Sequence, residues 1–359
     1  MRLHGRQFDK QSLLRYIGNE KQLFGIRPMV YRGGDANLVN TYEVDTGSGL
    51  VFSVAESKAM DIFQFKYKGI NLAFESKAGL HSPYNVEPFS DASRFSQGCG
   101  MLYTAGLTNV GGPCQDETGV HYYHGMIKNK AASDICAQGA WRGDEYVMQL
   151  SGDVNEAAFY GRNLKMHRTI TTSAGSKAIV LEDCIENRAY AEDQVMLLYH
   201  LNAGYPLVSE EARLIAAVNT VEPATPRAQE MIAEYDRVSA PMDMEEEYVY
   251  CITLHHDEEG LTGTALWNEA LNLGLYVKYN VRPLDRFVEW KCMRSGDYAF
   301  GMLPSNCFPF GRLEAAKSGA WTVLKPFETM STRLEIGILE GREEMKEFEG
   351  WIESLKKQT

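Results

Sequence analysis

The side chains best suited to acid–base chemistry sit in a few well-separated stretches of the chain. His200 and Asn202 lie in LLYHLNAGYPLV, residues 197–208, which reads as a strand stopped by Gly204 and Pro206. Alternation puts Met196, Leu198, His200 and Asn202 on one face and Val195, Leu197, Tyr199 and Leu201 on the other. An imidazole and a carboxamide at the mouth of a strand otherwise apolar on both faces are either a satisfied core pair or the floor of a site. His124 lies in GGPCQDETGVHYYHGMIKN, residues 111–129, with His121 and Lys128 close by and Asn109 just upstream. Gly125, directly after His124, lets the backbone turn sharply or approach a ligand. A surface loop with incidental histidines is the alternative reading.

Two carboxylates join these. Glu247 ends the acidic run Glu245-Glu246-Glu247 and begins the alternation with Val249 and Cys251, so it can point into whatever that face lines. Glu245 and Glu246 read as a solvated charge run. Glu289 shares a strand face with Phe287 and Lys291, while Val288, Trp290 and Cys292 share the other. Trp290 reads as core rather than as a platform for a sugar ring. Lys58 and Asp61 precede a strand in SKAMDIFQF, where an ordinary surface ion pair is the plain reading. No nucleophile elbow, phosphate loop or dinucleotide fingerprint occurs in a strand–turn–helix context. Imidazoles, carboxylates and amides remain, an inventory suited to proton transfer on a polyhydroxylated ligand. The close pairs His121/His124 and His255/His256 lack assignable further ligands, so no metal or other cofactor is expected.

The elements that must carry these groups are mostly strands. Short β-type runs fall at 41–45, 50–55, 61–67 and 71–76, then at 145–154, 164–172, 177–187, 194–202 and 213–218. Others follow at 247–255, 261–268, 273–281, 286–293, 297–303, 319–325 and 330–340. Turns about every ten residues predict antiparallel strands in a sandwich or barrel rather than βαβ units. Residues 77–135 are rich in Gly, Ser, Asn and Pro, and read as a long irregular segment of the kind that carries function. Asp9 caps a short helix over Lys10 to Tyr16 within a lead-in spanning 1–40, and Pro226 opens another to Asp236. A last helix runs from Glu343 to Lys356, within 342–357, with Met345, Phe348, Ile352 and Leu355 as its apolar stripe. No repeat or linker divides the chain, so one domain over 1–359 is expected.

Composition narrows the partners. The 359 residues carry a formal charge of −12 and are 44% hydrophobic, enough for a sizeable core but wrong in sign for nucleic acid or an anionic membrane surface. No apolar run is long enough for a transmembrane helix, and the N-terminal stretch has no apolar region of signal-peptide type. The seven cysteines are scattered without a C-x-x-C pair. Free thiols in a reduced cytoplasm are therefore expected.

The order of these motifs resembles that of the aldose 1-epimerase (galactose mutarotase) superfamily, and within it a branch of bacterial aldose-epimerase-like proteins. The resemblance rests on GLTNVGG (106–112), YHGMIKNKAA (123–132), LEDCIENRAYAEDQVMLLYHLNAGYPLV (181–208), EEEYVY (245–250) and EWKCMRSGDYAFGMLPSNC (289–307). It implies a large antiparallel β-sandwich whose concave face binds a small carbohydrate. It further implies that His200 protonates the ring oxygen, that His124 holds the substrate, and that Glu247 is a supporting carboxylate. Lys58 stands where that branch has an arginine before a Met/Leu-Asp pair, here Met60-Asp61. The general-base glutamate of such enzymes is expected inside GMLPSNC, where this chain has Leu303. Glu289 and Glu247 are the substitutes the resemblance leaves. A different acid–base reaction on a sugar or sugar acid, and sugar binding without catalysis, stay open beside mutarotation.

Overall fold

The computed structural model describes residues 1–83 and 100–357. Antiparallel sheets dominate it. An eight-stranded sheet runs in the order Ser133–Arg142, Glu145–Ala157, Asn163–Ser173, Ala178–Asn187, Thr329–Glu340, Leu273–Asn280, Leu261–Asn268, Ala212–Ala216. A seven-stranded sheet holds Val218–Pro223, Glu247–Leu254, Arg286–Cys292, Ala299–Ser305, Asp193–Gly204 and Thr322–Leu324, with Leu102–Leu107 paired to Asp193–Gly204. A five-stranded meander of Gly25–Val30, Asn40–Asp45, Leu50–Ala55, Asp61–Tyr67 and Ile70–Asn71 adjoins them. The expected all-β antiparallel sandwich with short peripheral helices is the architecture found.

The main core lies between the sheets. Leu150, Met166, Leu181, Leu334 and Val277 of the eight-stranded sheet share it with Val195, Leu197, Tyr199, Leu201, Phe287 and Phe300 of the seven-stranded one. Side chains of opposite parity on the seven-stranded sheet, among them Met196, Leu198, Val288 and Leu303, form a separate cluster with Tyr103 and Ala105. That sheet is thus covered on both faces, as the twofold apolar pattern of residues 195–201 requires. The C-terminal helix, Gly341–Leu355, lays Met345, Phe348, Ile352 and Leu355 on Trp267, Tyr276 and Leu339 of the eight-stranded sheet.

Several elements differ from the sequence expectation, each for a visible reason. The run over 213–218 is two strands. Ala212–Ala216 belongs to the eight-stranded sheet and Val218–Pro223 to the seven-stranded one, so the chain changes sheet at the buried Ala217. The strand expected at 71–76 ends at Asn71, after which Ala73 bridges Ala203. The helix from Lys10 stops at Leu13, and that from Pro226 at Glu230 before a single tight turn at Ile232–Glu234. The stretch read as irregular contains the strand Leu102–Leu107, wholly buried, and its last residues begin the mostly exposed strand Ser133–Arg142, which was not read from sequence. Neither alternates apolar with polar residues, the pattern that marks a strand in sequence. Cys99 lies outside the described residues; the other six cysteines are free.

Candidate functional site

Strand Asp193–Gly204 positions the first imidazole. His200 stands opposite Tyr103 of Leu102–Leu107, and their rings meet edge to face at 5.9 Å. On its other side, a Cβ at Gly301 would lie 3.3 Å from His200 Cε1 and 2.7 Å from Leu303 Cδ1. The missing side chain makes room for both. Trp290 follows across the sheet, its ring 5.3 Å from His200, and its indole N–H donates to Glu247 Oε2 at 2.8 Å. His200, Tyr103, Leu303 and Trp290 therefore share the face turned away from the main core. Trp290 is half-buried on this face, not part of the main core as its sequence context suggested. Asn202 lies fully buried beneath, its amide donating to the carbonyls of Gly100 and His200.

The second imidazole arrives on a loop. His124 has φ +53° and Gly125 φ +72°, two consecutive left-handed residues. A Cβ at Gly125 would lie 1.9 Å from Gly106 O, so only glycine fits that turn. Gly106 N–H donates to His124 O, and His124 N–H to Gly111 O. These bonds seat the ring against the strand that carries Tyr103. The centroids of His124 and His200 lie 6.3 Å apart, with Tyr103 6.0 Å and Tyr123 4.4 Å from His124. The two histidines, 76 positions apart in sequence, thus converge on one small space.

Both imidazoles are held neutral. Loss of hydration lowers the His200 pKa to about 4, the side chain of Asn202 opposing it weakly, although part of the residue still reaches solvent. Burial, then the repulsion that a protonated ring would meet from His200 and Lys128, holds His124 well below the ordinary imidazole range. Lys128 is buried on the turn Ile127–Asn129, its Nζ 5.9 Å from the Tyr103 centroid and 5.7 Å from that of Tyr123, and it donates to Tyr123 O. Burial and the neighbouring Lys58 bring its pKa down to about 7. Lys58 reaches this place because its turn docks on the segment after Lys128. Ala59 N–H donates to Lys130 O, and Ala132 N–H to Glu56 O.

Four other candidates play other parts. Glu289 is fully buried with Phe287 and Lys291, on the core side of the sheet, opposite to Trp290 and His200. Its carboxyl has no hydrogen-bond partner among the described residues; Lys291 Nζ stands 3.6 Å away, and burial pushes its pKa up. It cannot reach a ligand at the histidines, which corrects its selection as a substitute base. Asp61 does not pair with Lys58. Its oxygens accept from Arg168 at 2.8 Å and from the N–H and hydroxyl of Thr104 at 3.0 and 2.6 Å. Arg168 also donates to Ala59 O and to both oxygens of Asp183. Asp61 therefore fixes the Lys58 turn and the strand beneath Tyr103 rather than touching a ligand. Asn109 is likewise saturated, donating to Gly112 O and Tyr122 O and accepting from Arg312 N–H at 2.7 Å. It staples the histidine loop. His121 binds Asp116, which Arg312 also holds, away from the pair.

Tyr103, Trp290 and Arg312 were not selected from sequence. Tyr103 is silent there because its strand shows no alternation, whereas the alternation of 286–292 already separates Trp290 from Glu289. Among the described residues no group of three His, Cys, Asp or Glu side chains could hold a metal ion. A depression of about 460 Å³ beside His167, Glu182 and Arg282, and one of about 540 Å³ beside Arg162 and Arg188, share no residue with the histidine pair. No helix among the described residues is long and apolar enough to cross a membrane.

The profile of the family described as Domain of unknown function (DUF4432) matches residues 37–338, and the chain belongs to that family. Among curated proteins no sequence matches. Solved structures share the fold. A candidate aldose 1-epimerase from Klebsiella pneumoniae superposes with a TM-score of 0.89 at 20% identity, over 94% of this chain and 91% of that one. A galactose mutarotase-like protein from Clostridium acetobutylicum gives 0.63 at 14%, over 89% and 99%. A galactose 1-epimerase from Lactobacillus acidophilus gives 0.58 at 12%, over 89% and 100%. At these identities the likeness is one of fold, that of the galactose mutarotase-like β-sandwich.

Proposed function

We propose that this member of the family interconverts the anomers of a free sugar by acid–base ring opening, with His200 as the proton carrier and His124 as the positioning donor. The observation that carries the reading is the pair of neutral imidazoles 6.3 Å apart around Tyr103. A neutral imidazole is ready to accept a proton, so His200 takes the proton of the anomeric hydroxyl. The bond from C1 to the ring oxygen breaks, the electron pair stays on that oxygen, and C1 becomes an aldehyde. The ring oxygen is bonded to the same carbon as the anomeric oxygen, so His200 returns its proton there without moving far. Rotation about C1–C2 and the reverse transfers close the ring on the other face. His124 accepts Gly111 N–H on Nδ1 at 3.1 Å, which leaves Nε2–H to donate to the substrate. Trp290 offers an apolar face beside His200, and Glu247 stands at the rim, bound to the Trp290 indole.

In this scheme Leu303 is tolerated because one imidazole serves both oxygens. The same residue favours a second reading, sugar binding without mutarotation. The place expected for a carboxylate base is filled by an isobutyl group beside His200, and Glu289 faces the other way. Anomer exchange measured by saturation-transfer NMR over a panel of free aldoses and sugar acids decides between the two. Faster exchange that is lost in His200→Ala supports mutarotation. Binding with no change in exchange rate supports the second reading.

A further inference from the structure

The basic residues beside the histidine pair point to the kind of sugar. The Tyr103 ring has three neighbours at nearly one distance: His200 at 5.9 Å, His124 at 6.0 Å and Lys128 Nζ at 5.9 Å. Lys128 is 3% exposed, and Lys58, on the docked turn, 9%. One of the three ammonium donors of Lys128 goes to Tyr123 O. Among the described residues the other two find no acceptor, and no carboxylate pairs with the ammonium; the one neighbouring charge that acts on it is Lys58, of like sign. Burying an ammonium without a counter-charge is unfavourable, and the like charge of Lys58 nearby does not compensate that of Lys128. The rest of the chain is acidic, −12 in net charge, so a basic locus here is not a sample of a generally basic surface.

We propose that Lys128, with Lys58 beside it, forms an anion-binding locus beside the histidine pair, and that the sugar bound there carries a carboxylate or a phosphate. The inference rests on the sugar-site reading above and adds the substrate class to it. Leu303 fits the same account, because a carboxylate at that position would set a negative charge next to an incoming anion. Asp61 and Glu289, the other acidic candidates, are turned to the far side of their strands. Glu247 is engaged by Trp290 at the exposed rim. Stacking over two tyrosine rings holds the Lys128 ammonium in place before a ligand arrives.

The test is binding, measured by calorimetry on the full chain at one ionic strength near neutral pH. Galacturonate is compared with galactose, glucose 6-phosphate with glucose, and inorganic phosphate is run alone. At least one anionic sugar is expected to bind roughly 10- to 100-fold tighter than its neutral parent, the range for a charge-assisted hydrogen bond. Which of the two does so assigns the group as carboxylate or phosphate. Lys128→Gln keeps a donor for Tyr123 O and removes the charge, and should abolish most of that preference; Lys128→Met repeats the test should the amide misfold. Equal affinity for neutral and anionic sugars, a preference untouched by both substitutions, or phosphate alone binding as tightly as its sugar ester would overturn the inference. Binding of an anionic sugar without faster anomer exchange would refute mutarotation and leave this inference standing. Exchange of neutral sugars with no anionic preference would do the reverse.

Discussion

His124 accepts the backbone N–H of Gly111 on Nδ1, so its single proton sits on Nε2 and points away from the loop that holds it. With burial keeping the ring neutral, the tautomer is fixed by the fold and not by the ligand. Nitrogen-15 NMR of histidine-labelled protein should show His124 as the Nε2–H form at neutral pH, and that neutral form should persist on acidification below the ordinary imidazole range. An Nδ1–H tautomer, or an imidazolium at neutral pH, would contradict the seating described.

His200→Ala should lower anomer exchange by roughly 10²- to 10⁴-fold, the usual contribution of a positioned proton-transfer group. The fold should survive, because His200 Nδ1 has no hydrogen-bond partner among the described residues to lose. Exchange kinetics and a thermal melt on the same sample separate the two effects. A variant that melts normally and exchanges at the wild-type rate removes His200 from the chemistry.

The pH dependence follows from the same imidazole. The folded-state pKa of His200 is about 4, below the ordinary value of 6.5, so the neutral, proton-accepting form persists down to about pH 4. Exchange should be flat from neutral pH to about pH 5 and fall as pH approaches 4. Stability moves in the same direction. Between the two pKa values the unfolded chain binds the proton and the folded chain does not, so the His200 contribution is lost as pH falls below about 6.5, by at most roughly 3 kcal/mol. Chemical denaturation across this range, wild type against His200→Ala, isolates the term; a wild type that gains stability relative to the variant on acidification has the opposite sign.

Gly125→Ala should be strongly destabilising. The left-handed φ of +72° alone costs a residue with a Cβ about 1–2 kcal/mol, and overlap with Gly106 O at 1.9 Å adds to it. Since the clash moves the loop that seats His124, sugar affinity should fall together with the melting temperature. An alanine variant with both unchanged would mean that the turn is not built as described.

Glu289→Gln and Glu247→Gln should behave differently from each other. Glu289 faces the core side, away from the histidines, and burial raises its pKa, so an amide there should leave exchange unchanged. Glu247 shares the Trp290 face and anchors its indole, so its amide should weaken sugar binding severalfold, in line with one neutral hydrogen bond replacing a charged one. Rate measurements at saturating and limiting sugar separate affinity from turnover. Loss of turnover in Glu289→Gln with a normal melt would return that residue to the site.

The sequence by itself determined the antiparallel all-β class, sandwich or barrel, because alternation and turn spacing are local properties that survive in a linear string. The strands at Leu50–Ala55, Asp61–Tyr67 and Leu261–Asn268 were legible to the residue. So was the face shared by His200 and Asn202, since parity along one strand needs no tertiary information. His124 was legible as a candidate from the glycine that follows it. What only the tertiary structure decided was which parity faces the core and which loop covers which strand. Glu289 and Trp290 are neighbours on one strand, and their opposite fates follow from the side on which the eight-stranded sheet packs. Asp61 read as a surface group because Arg168, 107 positions away, is invisible to local pattern. Tyr103 and the Lys58–Lys128 pair were hidden for the same reason: a fully buried strand has no polar alternation to betray it, and two lysines 70 positions apart become neighbours only when Ala59 N–H finds Lys130 O.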